Sequence, residues 1–172
     1  MCMTQIQEIK AVVELDINKE IIRVAHQMDK HMGQLRNSIT KGKGNIYGFL
    51  GEILFNSLIK GRQANTYDYD LITKKGYTVD VKTKKCTTPP KTHYDCSVAS
   101  LNTKQRCDVY GFVRVLDDMS KGWVLGYLPK EVYYQKARLL RRGQVDPSNN
   151  FKVHTDCYNV SISELKEVVY YG

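Results

Sequence analysis

The chain lacks the features that place a protein in or across a membrane. No apolar run approaches the ~20 residues that a membrane-spanning helix needs. The first eight residues carry neither the basic nor the apolar region of a signal peptide. We therefore expect a cytoplasmic protein without a membrane partner, or one in the host cytoplasm if a phage encodes it. The chain also lacks low-complexity segments and internal repeats, and its 172 residues suit a single domain.

Close cysteine pairs are missing as well, which argues against a disulfide framework. The five cysteines are an odd number, and no two of them form a C-x-x-C pair. In a reducing compartment such cysteines remain free thiols. A zinc site built from Cys86, His93, Cys96 and Cys107 is the alternative, although their spacing is irregular.

Two aspartates and a lysine come together in a predicted β-hairpin. Apolar and polar residues alternate over 77–84, so Asp80 and Lys82 share one face of a strand. The segment Lys74-Lys75-Gly76 fits a three-residue hairpin loop with glycine in the left-handed conformation. This register places Asp70 opposite Asp80, with Cβ atoms roughly 4.5–5.5 Å apart.

Two carboxylates at that distance repel each other unless a proton or a cation lies between them. A hard divalent cation with oxygen ligands, Mg²⁺ or Mn²⁺, meets this need. Asp68 lies on the same strand face as Asp70 and is the alternative first ligand. Asp70 is preferred because the apolar pair Leu71-Ile72 follows it and because the register aligns it with Asp80.

The order of these residues resembles the PD-(D/E)XK nuclease superfamily. In that family a helix carrying a glutamate precedes a hairpin carrying Asp…(Asp/Glu)-x-Lys, and a further helix and strand follow. Here Glu52 on a predicted helix precedes Asp70 and then Asp80-Val81-Lys82. The resemblance covers roughly residues 45–115, and Tyr69 replaces the proline of the family motif.

The resemblance implies an α/β fold with a restriction-endonuclease-like core, in which helices flank a central mixed β-sheet in αβββαβ order. Residues 1–172 would form one domain with its core at about 45–115, an N-terminal strand–helix addition at 1–44 and a C-terminal α+β addition at 116–172. Periodicity and caps predict strands at 6–15, 109–115 and 123–128, with a further strand or two after 151, and helices from Asp16 or Asn18 to 32 and at 45–59, 95–106, 130–142 and 161–168. Gly48 and Gly51 predict that the helix around Glu52 closely approaches a neighbour or a substrate.

The same resemblance implies a metal-dependent DNA nuclease, most simply an endonuclease with structure-directed or weak sequence specificity. Asp70, Asp80 and the Val81 carbonyl would bind Mg²⁺ or Mn²⁺. Glu52 would ligate directly, through water or through a second ion, and Lys82 would orient the attacking water or offset phosphate charge. RNA is the alternative substrate, and a homodimer is an open assembly. A nucleic-acid-binding protein that has lost catalysis and a basic interaction protein with a chance motif are the rival functions.

The charge distribution agrees with a polyanionic partner. The chain carries 26 Lys and Arg against 18 Asp and Glu, a net charge of +8. The basic excess surrounds the acidic motif instead of forming a tail, as a site that brings phosphodiesters to carboxylates requires. A generally basic surface is the alternative. We predict contacts with nucleic acid from Lys43, Lys84, Lys85, Lys104, Gln105 and Arg106.

Overall fold

The computed structural model describes residues 12–32, 45–146 and 150–168. The regular elements of these ranges, in chain order, are β1 (Val13–Asp16), α1 (Lys19–Met32), α2 (Asn45–Ile59), β2 (Arg62–Gln63), β3 (Leu71–Ile72), β4 (Thr78–Cys86), β5 (Asp95–Ala99), β6 (Val109–Leu116), β7 (Lys121–Pro129), α3 (Lys130–Lys136), β8 (Arg138–Leu140) and β9 (Cys157–Ser161). Short 3-10 helices follow β5 at Ser100–Lys104 and β9 at Ile162–Glu164.

The strands form two sheets, and the α/β class predicted from the sequence is confirmed. The larger sheet has the order β1-β7-β6-β4-β3-β2, and the smaller one has the order β5-β9-β8. In the larger sheet β4 and β6 are parallel, whereas the other neighbours are antiparallel. No helix among the described residues is long and apolar enough to cross a membrane.

Helix α2 packs on one face of the larger sheet. Leu50 and Leu54 are buried in the same hydrophobic cluster as Val79 and Val81 of β4. Gly51 makes this approach close, because a Cβ there would lie 1.8 Å from the Thr83 Oγ1. The predicted close approach to a neighbour is thus confirmed at Gly51. At Gly48 no heavy atom of the described residues lies within 4 Å of the Cβ position, and an approach of substrate there stays a prediction.

The opposite face of the larger sheet carries a second core, which is rich in aromatic rings. Tyr110 and Phe112 of β6 contact Tyr133 of α3, with ring centroids 5.4 and 5.5 Å apart respectively. The Tyr133 hydroxyl donates to the Cys96 carbonyl at 2.8 Å and so ties α3 to the smaller sheet. Polar side chains of β4, among them Lys82 and Lys84, lie on the face of the larger sheet that is turned toward the smaller sheet.

Several local predictions are confirmed. The helix predicted at 45–59 is α2, and strands 109–115 and 123–128 correspond to β6 and β7. Asn18 caps α1, since its Oδ1 accepts the Ile21 N–H at 2.9 Å. Of the strand predicted at 6–15, residues 13–15 lie in β1, which continues to Asp16. Residues 6–11 of this prediction lie outside the described part of the chain.

Two predicted helices are wrong, and a third is shorter than predicted. The segment predicted as a helix at 95–106 is strand β5 followed by a 3-10 turn, because residues 95–99 pair with β9. The helix predicted at 130–142 ends at Lys136, and β8 continues the chain along β9. The helix predicted at 161–168 is a single 3-10 turn, after which Lys166 forms a β-bridge with Tyr127.

Candidate active site

The hairpin of β3 and β4 has the predicted register. Leu71 pairs with Val79, and the Asp70 N–H donates to the Val79 carbonyl at 2.9 Å. Gly76 closes the loop with φ +88°, a conformation that favours glycine. Asp70, directly before β3, therefore lies opposite Asp80, as the sequence predicts.

The Asp70 carboxylate is buried against β4. Its Oδ2 accepts the Val81 N–H at 2.8 Å, and only 6% of Asp70 and 5% of Asp80 is exposed. Burial, followed by the charge of Asp80, raises the pKa of Asp70 from 3.8 to about 7, although the Val81 hydrogen bond acts in the opposite direction. The site therefore concentrates more negative charge than its surroundings stabilise.

Glu52 brings a third carboxyl group to this point from α2. It is buried, with 6% exposed, and its side chain lies within hydrogen-bonding reach of Asp70. Gly51 allows this placement because the close contact with Thr83 sets α2 directly on β4. The structure thus brings Glu52, Asp70 and Asp80 together although they come from a helix and two strands.

Lys82 provides the positive charge beside the carboxylates. Its Nζ lies 2.6 Å from Asp80 Oδ2 and donates to Gln105 Oε1 at 3.2 Å. Gln105 is itself fixed, because its Nε2 donates to the Tyr67 carbonyl at 3.1 Å and only 9% of the residue is exposed. The segment that carries Gln105 therefore positions the Lys82 amine.

Asp68 has a different neighbour from Asp70. Its Oδ1 accepts the Arg106 N–H at 3.0 Å, which fastens the loop before β3 to the end of the 3-10 turn. Of the two aspartates that the sequence left as alternatives, the structure brings Asp70 to Asp80.

The predicted nucleic-acid contacts lie on several surfaces. Lys84 and Lys85 are exposed neighbours on β4, and Lys85 points to the α2 side, where its Nζ lies 5.5 Å from the Tyr47 ring centroid. Lys104 and Arg106 are exposed on either side of buried Gln105. Lys43 lies outside the described residues.

The described residues offer few ready-made donor groups for a metal. Among residues 12–32, 45–146 and 150–168, no group of three or more His, Cys, Asp or Glu side chains is arranged to hold an ion. Cys86, Cys96 and Cys107, which belong to the alternative zinc site, are buried. Mg²⁺ commonly uses only one or two protein carboxylates and completes its shell with waters and substrate phosphates. The buried oxygens of Asp70 and Asp80 fit that chemistry.

The backbone of β4 offers a further oxygen. The N–H and C=O groups of one residue in a strand point to the same side. Because the Val81 N–H points to Asp70, the Val81 carbonyl points toward the same end of β3.

Arg114 is a charged residue near the site that the sequence analysis missed. It lies in β6, paired with Lys84 of β4, and only 7% of it is exposed. A single arginine inside the otherwise apolar strand 109–116 was the available signal.

No protein-family model and no curated protein matches the chain.

Proposed function

We propose that this protein is a metal-dependent nuclease that cleaves DNA. The observation that carries the proposal is the buried pair Asp70 and Asp80, with Glu52 reaching Asp70 and with Lys82 beside Asp80. The order of helix α2, strands β2 to β4 and the parallel strand β6 supports a restriction-endonuclease-like core. In place of the family's second helix, this chain has β5 and a 3-10 turn.

The electrostatics of the site favour a divalent cation. The raised pKa of Asp70 means that two ionised carboxylates are unfavourable there without a positive charge in addition to that of Lys82. Asp70, Asp80 and the Val81 carbonyl would hold Mg²⁺ or Mn²⁺, and Glu52 would complete the shell directly or through water. A cation so held supplies Lewis acidity to a phosphoryl oxygen and lowers the pKa of water.

Lys82 and Gln105 would prepare the substrate. The Lys82 ammonium group has three N–H donors, and its contacts with Asp80 and Gln105 leave donor capacity for a further acceptor. The remaining capacity would orient the attacking water or bind a non-bridging phosphate oxygen, where it offsets the charge that develops during the reaction. In-line attack with the 3′-oxygen as the leaving group would leave a 5′-phosphate and a 3′-hydroxyl, as the family resemblance implies. Exposed Lys104 and Arg106 would contact the backbone of the nucleic acid.

Cleavage of a substrate panel tests the proposal. Supercoiled plasmid, linear duplex, single strand, flap, four-way junction and RNA are incubated with Mg²⁺, Mn²⁺ or EDTA. Asp80→Ala and Lys82→Ala should abolish metal-dependent cutting, whereas binding to DNA should persist in Asp80→Ala because a negative charge is removed. The substrate that is cut fastest identifies the specificity.

Matched controls come from the far edge of the larger sheet. The exposed carboxylate of Asp16 and the half-buried Lys121 lie there 3.8 Å apart. Asp16→Ala and Lys121→Ala should cut like the parent. An Asp80→Ala variant as active as the parent would refute the proposal, and a parent that binds DNA but cuts none of the substrates would indicate the catalytically silent alternative.

A further inference from the structure

A second polar site lies between the two sheets, on the face of β4 opposite α2. It is a cavity of about 200 Å³ lined by residues of β4, β5, β6 and β7. Among the described residues, Lys82, Lys84 and Arg114 supply three cations to its wall, and Asp95 supplies one carboxylate. Since Lys82 also contacts Asp80, the cavity adjoins the candidate active site.

Arg114 is the most deeply buried cation of this wall. One guanidinium nitrogen donates to the Asp95 carbonyl at 2.9 Å, and the group lies 5.1 Å from the Tyr94 ring centroid. Within the described residues no carboxylate oxygen comes within 4.0 Å of this guanidinium. A buried guanidinium without a carboxylate is costly, and its fixed planar donors are suited to a bidentate anion.

Lys84 adds a second cation in the same position along the sheet. It pairs with Arg114 across β4 and β6 and keeps contact with solvent. Burial of part of its side chain and then the charge of Arg114 lower the pKa of Lys84. In the described part of the chain, no acidic group forms an ion pair with it. The charge of Asp95 acts on this pKa in the opposite direction but more weakly than that of Arg114. Two neighbouring cations to which no described acidic side chain is directly paired create a local demand for an anion.

Asp95 meets that demand only in part. Its carboxylate faces Arg138, whose Nη2 lies 3.2 Å from Oδ2. Because Arg138 lies in β8, this ion pair joins the strands of the smaller sheet. It therefore leaves Arg114 and Lys84 to act on whatever enters the cavity.

We infer that this cavity binds one phosphate group of a nucleic-acid strand, held by Arg114 and Lys84, while a neighbouring phosphate of the same strand lies at Asp70 and Asp80. The nucleic-acid part of this inference rests on the proposed nuclease function, whereas phosphate binding as such does not. A phosphate matches the planar guanidinium in geometry and the paired cations in charge. Lys82 lies between the two phosphate positions, since it contacts Asp80 and also lines the cavity.

A phosphate titration in EDTA tests the anion site without metal or turnover. Inorganic phosphate is added at constant ionic strength to the parent, Lys84→Gln and Lys85→Gln, and binding is followed by NMR. Lys85→Gln is a matched control for the cavity because it removes the same charge from the next residue, which points to the α2 side. The predicted contact of Lys85 with nucleic acid would therefore lie outside the cavity. The parent should bind saturably, Lys84→Gln should bind about tenfold more weakly, and Lys85→Gln should stay within about twofold of the parent.

Three results would overturn the anion site: no saturable binding by the parent, parent-like binding by Lys84→Gln, or equal weakening in both lysine variants. Arg114→Gln should weaken phosphate binding more than Lys84→Gln does. If Arg114→Gln does not fold, the result for Lys84→Gln decides whether the anion site exists.

A second arm addresses the nucleic acid. The dissociation constant of a short single-stranded DNA is measured in an Asp80→Ala background, where cleavage is not required. Adding Lys84→Gln should raise it several-fold more than adding Lys85→Gln. Equal effects beside a positive phosphate titration would remove the nucleic-acid assignment and keep the anion site. Positive results in both arms without any cleavage by the parent would refute the nuclease alone.

Discussion

Asp70 is expected to destabilise the fold at neutral pH when no divalent cation is present. Burial and the charge of Asp80 raise its pKa from 3.8 to about 7. Between these two pH values the folded protein keeps a proton that the unfolded chain has lost. The free energy of unfolding therefore falls as the pH rises from about 4 to about 7. Above about pH 7 it is lower by the full amount. Asp70→Asn removes this loss and should stabilise the metal-free protein.

The magnitude follows from the same shift. At 1.36 kcal/mol for each pKa unit, a rise to about 7 sets an upper limit of roughly 4 kcal/mol. Part of that energy belongs to the coupled pair and not to Asp70 alone. Asparagine keeps an oxygen that can accept the Val81 N–H. We expect Asp70→Asn to raise the free energy of unfolding by about 2 kcal/mol at pH 8 and by less at pH 5.

Urea unfolding in EDTA at pH 5 and pH 8 measures this difference. Asp68→Asn is the control, because it removes the same charge two residues earlier, from a carboxylate that faces the Arg106 amide instead of Asp80. It should show no gain at pH 8. Added Mg²⁺ should stabilise the parent more than Asp70→Asn. An Asp70→Asn variant that is less stable than the parent at pH 8 in EDTA would refute the electrostatic reasoning.

The hairpin could be predicted from the sequence because its information is local. Strict alternation fixed which residues share a face, and the loop ending at Gly76 fixed the register. Together they placed Asp70 opposite Asp80 before any tertiary contact was considered. The position of Glu52 could also be predicted from the sequence, since α2 is a long apolar helix that must pack on the sheet.

The elements around the hairpin depend on partners far along the chain. Asp95 looks like a helix cap, but β5 pairs with residues more than fifty positions later. The alternation of buried Cys96, exposed Ser97 and buried Val98 was the strand signal in this segment. Pairing with β9 likewise drew Arg138 out of the predicted helix. Such nonlocal pairing outweighs local propensity.

The contacts of Lys82 show the same limit at the site itself. Gln105 was predicted to contact nucleic acid, and the structure shows it holding the Lys82 amine. That contact requires the path of the chain from β5 through the 3-10 turn, which the sequence analysis read as a helix. The relative position of Asp70 and Asp80 could therefore be predicted from the sequence. The contact of Gln105 with Lys82 could not.

Three changes test the packing that supports the site. Asn18→Ala should cost about 1 kcal/mol of stability, because the Ile21 N–H loses its cap. Gly48→Ala should stabilise α2 by about 0.5–1 kcal/mol, because its added Cβ meets no atom within 4 Å. Gly51→Ala in the same helix should destabilise by about 1–3 kcal/mol. Its Cβ would lie 1.8 Å from the Thr83 Oγ1 and 2.9 Å from the Thr83 Cβ, so side-chain rotation cannot relieve the clash and α2 must move. Equal stability of the two glycine variants in urea unfolding would contradict the close packing of α2 on β4.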